Sequence, residues 1–328
     1  MKKITLMLLV LLVSVSTVFA GGRGATGPRV LRLACNQPDG YPTVVGALAF
    51  AEYVYRETGG NIIIEVHNNA VLGGEAHTVM LTQTGDIEFN RLGVTFLASV
   101  NPNIGALGMP GIYRDREHMF RVLDGPIGDE ALMMMYNQQL VGLSWFDSGF
   151  RHLYNSVREV RTPADLQGLR IRVQEVPIMM QMMTLMGGSP VPMAMGEVYS
   201  GIQNNVIDGA ENNWPSFTSW SHNEVASFFT LNGHVASPEM ILVNAGVWRS
   251  FSADEQRIIR SAAQHGARVQ RQAWIEYEAA AEAAARAAGV TVTVLTPEEQ
   301  ALFDAAIAPL YQDFPQFADI IGRIRATP

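Results

Sequence analysis

Arg172 is the side chain around which a chemistry can be built. It lies in the stretch Asp165–Glu175, DLQGLRIRVQE, where Leu169, Ile171 and Val173 alternate with Arg170, Arg172 and Gln174. That is the period of a strand with two unlike faces. Arg172 and Gln174 share one face near the carboxyl end, the end at which α/β units bind ligands. An arginine there presents a rigid fork of donors that can hold a carboxylate bidentately; the alternative is an ion pair that closes the fold. A second polar group follows the expected strand Val206–Ala210, in Glu211-Asn212-Asn213-Trp214-Pro215. Asn212 can both donate and accept, and Trp214 can cover an apolar ring face. The plainer account is that Asn212-Asn213 caps the next helix and Trp214 is core. Arg151 stands just past the break Asp147-Ser148-Gly149, where it either points into a cleft or braces a crossing between lobes. Glu75 follows a Gly-Gly turn at a helix start, where it would complement the helix dipole. Arg91 ends an otherwise apolar strand, a position at which a charge needs a partner.

Around these residues no catalytic constellation can be assembled. The sequence contains no G-x-S-x-G, no H-E-x-x-H and a single cysteine, Cys35, which reads as an inert thiol in the apolar strand 30–35. The seven histidines (67, 77, 118, 152, 222, 234 and 265) are scattered without metal-ligand spacing. Lys2 and Lys3 are the only lysines, which removes a Schiff-base, P-loop or general-base lysine from the rest of the chain. Gly22–Gly27 matches G-x-G-x-x-G, but no strand precedes it and Pro28 follows it, so the context for a dinucleotide site is missing. No catalytic residue, metal or cofactor is assigned, and the pattern favours binding over catalysis.

Composition narrows the partners. The formal net charge is −8, and loss of Lys2 and Lys3 with a leader (−8 − 2) would take it to −10. An acidic protein of this kind is a poor nucleic-acid binder, so an anionic ligand must be held by local arginines. Lys2-Lys3, the apolar run 4–18 and Val18-Phe19-Ala20 read as a signal peptide cleaved after Ala20. The expected product is a periplasmic, monomeric protein that is not itself inserted in the membrane.

The elements that must position these residues alternate. Strand 30–35, a helix to about Thr58, strand 62–67, a helix to about Gly85 and strand 86–92 form one doubly wound set. A single helix is expected over 115–137, then strand 141–146 and the break at 147–149. Strand 170–174, the Met-rich helix 178–186, 189–192, helix 196–204, strand 206–210 and helix 214–220 form another set. The run 237–244 can cross back. Ser252-Ala-Asp-Glu255 is a capping box that opens a helix reaching about Gly289, roughly 54 Å at ~1.5 Å per residue, and therefore a spine along both lobes. Thr296-Pro-Glu-Glu299 caps a final helix. The expectation is an α/β, two-lobed periplasmic binding protein, each lobe a sheet flanked by helices, joined by hinge strands. Lobe I takes residues 28–148 and about 240–280; lobe II takes 149–239 and about 281–328.

Taken together, Gly168-Leu-Arg-Ile-Arg-Val173, Gly196-Glu-Val-Tyr-Ser-Gly-Ile-Gln203 and Val206-Ile-Asp-Gly-Ala-Glu-Asn212 resemble the solute-binding proteins of the tripartite ATP-independent periplasmic (TRAP) transporters. The resemblance implies closure on an organic acid and delivery to a membrane permease. It also implies that Arg172 ion-pairs the ligand carboxylate, that Arg151 assists it and that Asn212 hydrogen-bonds the ligand. Glu75 and Arg91 carry over as further contacts, with Asn213, Trp214 and Gln174 beside them. Tyr41-Pro-Thr43, Leu123–Asp129, Asp147–Gly149 and Glu211–Pro215 resemble the branch that binds hexuronates such as glucuronate and galacturonate. One departure is that Gly40 stands where that branch tends to have Asp, with Asp39 one place earlier. The rival ligand is a C4-dicarboxylate or 2-oxo acid, with Arg91 as the second free arginine. A periplasmic uronate-processing enzyme using Glu75 as base is the rival of another class, and a binding protein that reports to a sensor kinase is a third reading.

Overall fold

The computed structural model describes residues 27–328; the expected leader and residues 22–26 of the glycine motif lie outside them. The strands are β1 (Arg29–Ala34), β2 (Ile62–His67), β3 (Phe89–Gly93), β4 (Leu140–Phe146), β5 (Phe150–Asn155) and β6 (Arg170–Val173). They continue with β7 (Ser189–Pro192), β8 (Gly209–Asn212), β9 (Phe228–Ala236), β10 (Glu239–Asn244) and β11 (Thr291–Val294). One five-stranded sheet runs β2-β1-β3-β10-β4 and one six-stranded sheet runs β11-β9-β5-β8-β6-β7. In the first, β1 is parallel to β2 and β3, while β10 is antiparallel to β3 and β4. In the second, β6 is parallel to β7 and β8, and β5 is antiparallel to β8 and β9.

The chain passes between the sheets at 147–149, from β4 to β5, and again at 237–238, from β9 to β10. The two passages are tied together, because the Ser148 hydroxyl donates to the Ser237 carbonyl at 2.5 Å. At Gly149 the backbone takes φ +61°, and a Cβ would stand 2.8 Å from Glu278 Oε1 and 3.1 Å from the Trp274 ring. Only glycine fits both that conformation and that approach.

Over these passages lies the helix Ala253–Ala287, 35 residues long, closed at its start by the expected Ser252–Glu255 capping box; at ~1.5 Å per residue it spans about 52 Å. Its first part buries Ile259, Ala262, Ala263, Ala267 and Trp274 in the core of the first sheet. Its last part buries Ala281 and Ala285 in a core with Tyr154, Phe217 and Phe229. Between them the buried Gln270 grips the first passage: it accepts from Asp147 N–H and donates to Asp147 O, both at 2.8 Å. The spine is therefore fastened to the crossing as well as packed on both sides of it.

Three local expectations are corrected. The helix expected over 115–137 is broken into Arg116–Leu123 and Pro126–Met134, since Pro126 lacks an N–H and disfavours helical backbone at Gly125. The strand expected at 206–210 begins instead at Gly209, because the preceding helix ends at Gln203 and its closing turn, with Asn205 at φ +54°, ties Val206 and Ile207 N–H back to the Gly201 carbonyl. Glu211 and Asn212 thus lie inside the strand rather than beyond it. A further helix, Ala318–Ala326, buries Ile321 and Ile324 and is held by Arg323 to Glu130 at 2.7 Å.

Candidate functional site

Strand ends from both sheets converge on a cavity of about 310 Å³, at the small end of ligand-sized pockets. On the side of the second sheet, Arg172 lies opposite Ala210 of β8, and antiparallel β5 places His152 opposite Asn212. The start of β5 and the ends of β6 and β8 therefore bring Arg151, Arg172 and Asn212 together. Gly209 permits this, since a Cβ there would stand 2.1 Å from the Tyr154 carbonyl oxygen.

The two arginines differ in how they are held. Arg151 is buried and fully engaged: Nε and Nη2 reach the Glu211 carboxylate at 2.5 and 2.8 Å, and Nη1 reaches Asn212 Oδ1 at 2.9 Å. Burial alone would raise Glu211, but Arg151 and His234 more than offset it and hold the carboxyl at about 2. Arg172 is only 4% exposed, yet the sole hydrogen bond of its side chain among the described residues runs from Nε to the Met193 carbonyl at 2.8 Å. Among the described residues no carboxylate lies within ion-pair distance of it. Desolvation lowers its pKa, Glu211 opposes that and Arg151 adds to it. A guanidinium stays charged under such pressure, so an anion brought into the cavity relieves it.

The opposite wall carries the other sign. Glu75 opens the helix Glu75–Thr84 after Gly74, and Glu239 opens β10 opposite Gly93. Both accept from Arg91 Nη1, at 2.8 and 2.9 Å. Arg91 also donates to Asn36, and Glu75 Oε1 accepts from Gly93 N–H at 3.1 Å. Burial pushes the Glu239 carboxyl up to about 7, against the pull of Arg91 and the hydrogen bond from Thr43.

Of the residues singled out in the sequence, Arg172, Arg151, Asn212, Asn213, Gln174 and Glu75 line the cavity. Asn213 both lines it and caps the following helix, accepting from Ser216 N–H at 2.8 Å while donating to Ser148 O at 2.8 Å. Three are placed elsewhere. Arg91 is 1% exposed and neutralised by two carboxylates, so it is not a free arginine. Trp214 is core: its ring stacks on Phe229 with centroids 3.7 Å apart. Asp39 is turned outward and holds Asn68 and Asn69; Asn69 reaches the cavity, but Asp39 does not.

The lining also includes Glu239, Asn36, Gln37 and Trp220, none of which was singled out in the sequence. Trp220 lies six positions after Trp214, about 240° around a helix at ~3.6 residues per turn, so one of the pair had to face away from the core. That signal was readable; which of the two did so was not. Residues lining the cavity are also bonded to one another and to groups just behind them. The Tyr41 hydroxyl lies 2.9 Å from Ser216 Oγ, Trp220 Nε1 donates to Gln37 Oε1 at 3.2 Å, and Thr95 donates to Gln174 at 3.0 Å.

Comparison with known proteins follows the same lines. Residues 33–316 match the family described as bacterial extracellular solute-binding protein, family 7. A solute-binding protein of Chromohalobacter salexigens is 36% identical over 279 residues, 85% of this chain and 82% of that one. A TRAP periplasmic solute-binding protein of Xanthobacter autotrophicus Py2, solved with bound β-D-galacturonate, is 38% identical with TM-score 0.88, covering 91% of this chain and 100% of that chain. Another, from Roseobacter denitrificans with bound β-D-glucuronate, is 35% identical with TM-score 0.88 over the same 91% and 100%.

Proposed function

Because the chain belongs to family 7 of the bacterial extracellular solute-binding proteins, we propose that it captures a hexuronate of the glucuronate or galacturonate type and delivers it to a TRAP permease. The observation that carries this is Arg172, a buried guanidinium with no carboxylate partner among the described residues, lining the cavity. The sugar carboxylate takes its fork; Asn212 Nδ2, whose only hydrogen bond among the described residues is to Met195 Sδ at 3.6 Å, meets a hydroxyl; and Arg151 stays with Glu211 as a braced neighbour. The hexuronates bound to the two similar structures support the choice of ligand.

The magnitudes are sufficient. A micromolar ligand needs about −8 kcal/mol, and charge-assisted hydrogen bonds contribute ~1.5–3 kcal/mol each. One bidentate carboxylate with three or four hydroxyl contacts reaches that after the entropy of capture. The reading is binding without turnover, so sugar acid incubated with the protein is recovered unchanged.

A thermal-shift screen against glucuronate, galacturonate, succinate, pyruvate and glucose tests it. Binding to the native state adds about 2.7 kcal/mol at a hundredfold excess over Kd. The expected result is a rise with a hexuronate and none with glucose. A rise only with succinate or pyruvate would keep Arg172 and discard the sugar; no rise with any acid would remove the binding reading.

A further inference from the structure

Resting on the reading that a sugar acid enters with its carboxylate on Arg172, we propose that Glu239, with Glu75, determines specificity. The two carboxylates, held on one guanidinium, form an acceptor wall that takes the hydroxyl end of a monocarboxylate sugar and rejects a diacid.

The geometry of the wall carries this. Arg91 Nη1 bonds both carboxylates, at 2.8 Å to Glu75 and 2.9 Å to Glu239, and Arg91 itself does not line the cavity. Glu75 and Glu239 do, so of these three charged groups a ligand meets the two carboxylates, with the guanidinium behind them. Glu75 Oε1 is committed to Arg91 and to Gly93 N–H, whereas Oε2 accepts, among the described residues, only from Asn36 Nδ2 at 3.5 Å. That oxygen is the natural acceptor for a hydroxyl. Glu239 is held from behind as well, its Oε2 accepting from Thr43 Oγ1 at 3.1 Å.

The charge balance gives the selectivity. One guanidinium already serves two carboxylates, and burial pushes Glu239 up to about 7 even so. A further carboxylate placed against this wall would have no cation left to it, and like charges brought together without water are strongly unfavourable. A hydroxyl there instead donates to a carboxylate, a charge-assisted bond. Rejection built on unpaired like charge is a recognised route to specificity. Arg172 thus comes from the second sheet and the acceptor wall from the first, with Glu175 also lining the cavity, and the arrangement fits a ligand with an acid at one end only.

Calorimetric titration of the purified chain with a hexuronate and with the corresponding hexarate, whose C1 is a second carboxylate, tests the wall. The wild type is expected to favour the hexuronate by about tenfold or more, and Glu239→Gln and Glu75→Gln each to narrow that ratio to within about threefold. The readout is the change in ratio between wild type and variant, which the open-chain shape of the hexarate and the folded fraction of a variant leave untouched. Should Glu239→Gln not fold, Glu75→Gln, at the more exposed of the two carboxylates, reads the same quantity. A hexarate bound as well as the hexuronate by wild type, or variants that keep the wild-type ratio, would overturn the wall while leaving the uronate reading intact. A wild type that binds no hexuronate at all would overturn that reading and the wall with it.

Discussion

At the scale of single residues, the site is a set of charges whose partners decide their roles. Arg151 and Arg91 are both satisfied by carboxylates, at 2.5 and 2.8 Å, whereas Arg172 has none among the described residues. Arg172→Ala is therefore expected to weaken sugar-acid binding by about 2–5 kcal/mol, since the ligand carboxylate would then be buried unpaired. The unliganded variant should be no less stable than wild type, because a desolvated, unpartnered charge has been removed. Isothermal titration and thermal unfolding of the same preparations measure both, and near-normal binding would sink the assignment. Arg172→Lys keeps the charge but loses the planar fork, so it is expected to fall between the two. Glu239 gives a pH test. Its ordinary value of 4.5 is raised to about 7 in the folded chain, so the folded state holds a proton that the unfolded state has released between those values. The contribution is fully present below 4.5 and lost as pH rises through 7. The stability difference between wild type and Glu239→Gln should thus shift against wild type from pH 5 to pH 8. Glu211, held at about 2, has the opposite sign: its contribution is present above its ordinary value and disappears as pH falls through 2. A flat wild-type-minus-variant difference over pH 5–8 would remove Glu239 as the titrating group.

Elements act here by bringing their ends into register. The helix Pro42–Glu57 starts beside Tyr41, whose hydroxyl lies 2.9 Å from Ser216 Oγ in the helix Trp214–Ser219. That contact joins the surroundings of the two sheets, and Tyr41 itself does not line the cavity. Tyr41→Phe removes it while keeping the ring packed edge-on against Trp274 at 5.7 Å. A lost hydrogen bond of this kind costs about 0.5–1.5 kcal/mol. If the contact forms only when the halves close, that cost appears as a two- to tenfold rise in Kd, because apparent affinity scales with the fraction of closed protein. Small-angle scattering of the liganded variant, compared with wild type, separates a shifted closure from a damaged site. An unchanged Kd would mean that Tyr41 serves only the fold.

Over the whole molecule, two strand passages and one long helix connect the sheets, and all three meet near Asp147. Gln270 supplies both hydrogen bonds to the Asp147 backbone, and Arg116 binds the Asp147 carboxylate at 2.7 Å. Gln270→Leu keeps the volume but leaves a buried N–H and C=O unpaired, each worth about 1–3 kcal/mol. Its expected effect is a lower Tm together with altered ligand affinity, since the spine would lose its grip on the crossing. A variant with wild-type Tm would show that water or a shifted backbone satisfies those groups. The C-terminal helix Ala318–Ala326 behaves differently. Its buried Ile324 belongs to a core that also holds Leu107 and Met182, so Ile324→Ala should cost about 2–5 kcal/mol of stability with little change in Kd.

What the sequence by itself determined was local. The alternation around Arg172, the capping box at Ser252–Glu255, the spine helix, the break at 147–149 and the family motifs were all readable, because each is a pattern within one element or one turn. Its misjudgements were equally physical. Periodicity does not tell which of Trp214 and Trp220 faces the core, and it does not weigh Pro126 against an otherwise helical run. Pairing between distant residues was decided only in the tertiary structure. Arg151 meets Glu211 across 60 positions and Arg91 meets Glu239 across 148, and those partnerships set which arginine is free. A charge's role depends on what neutralises it, and the neutralising group arrives from a strand whose register no local pattern encodes.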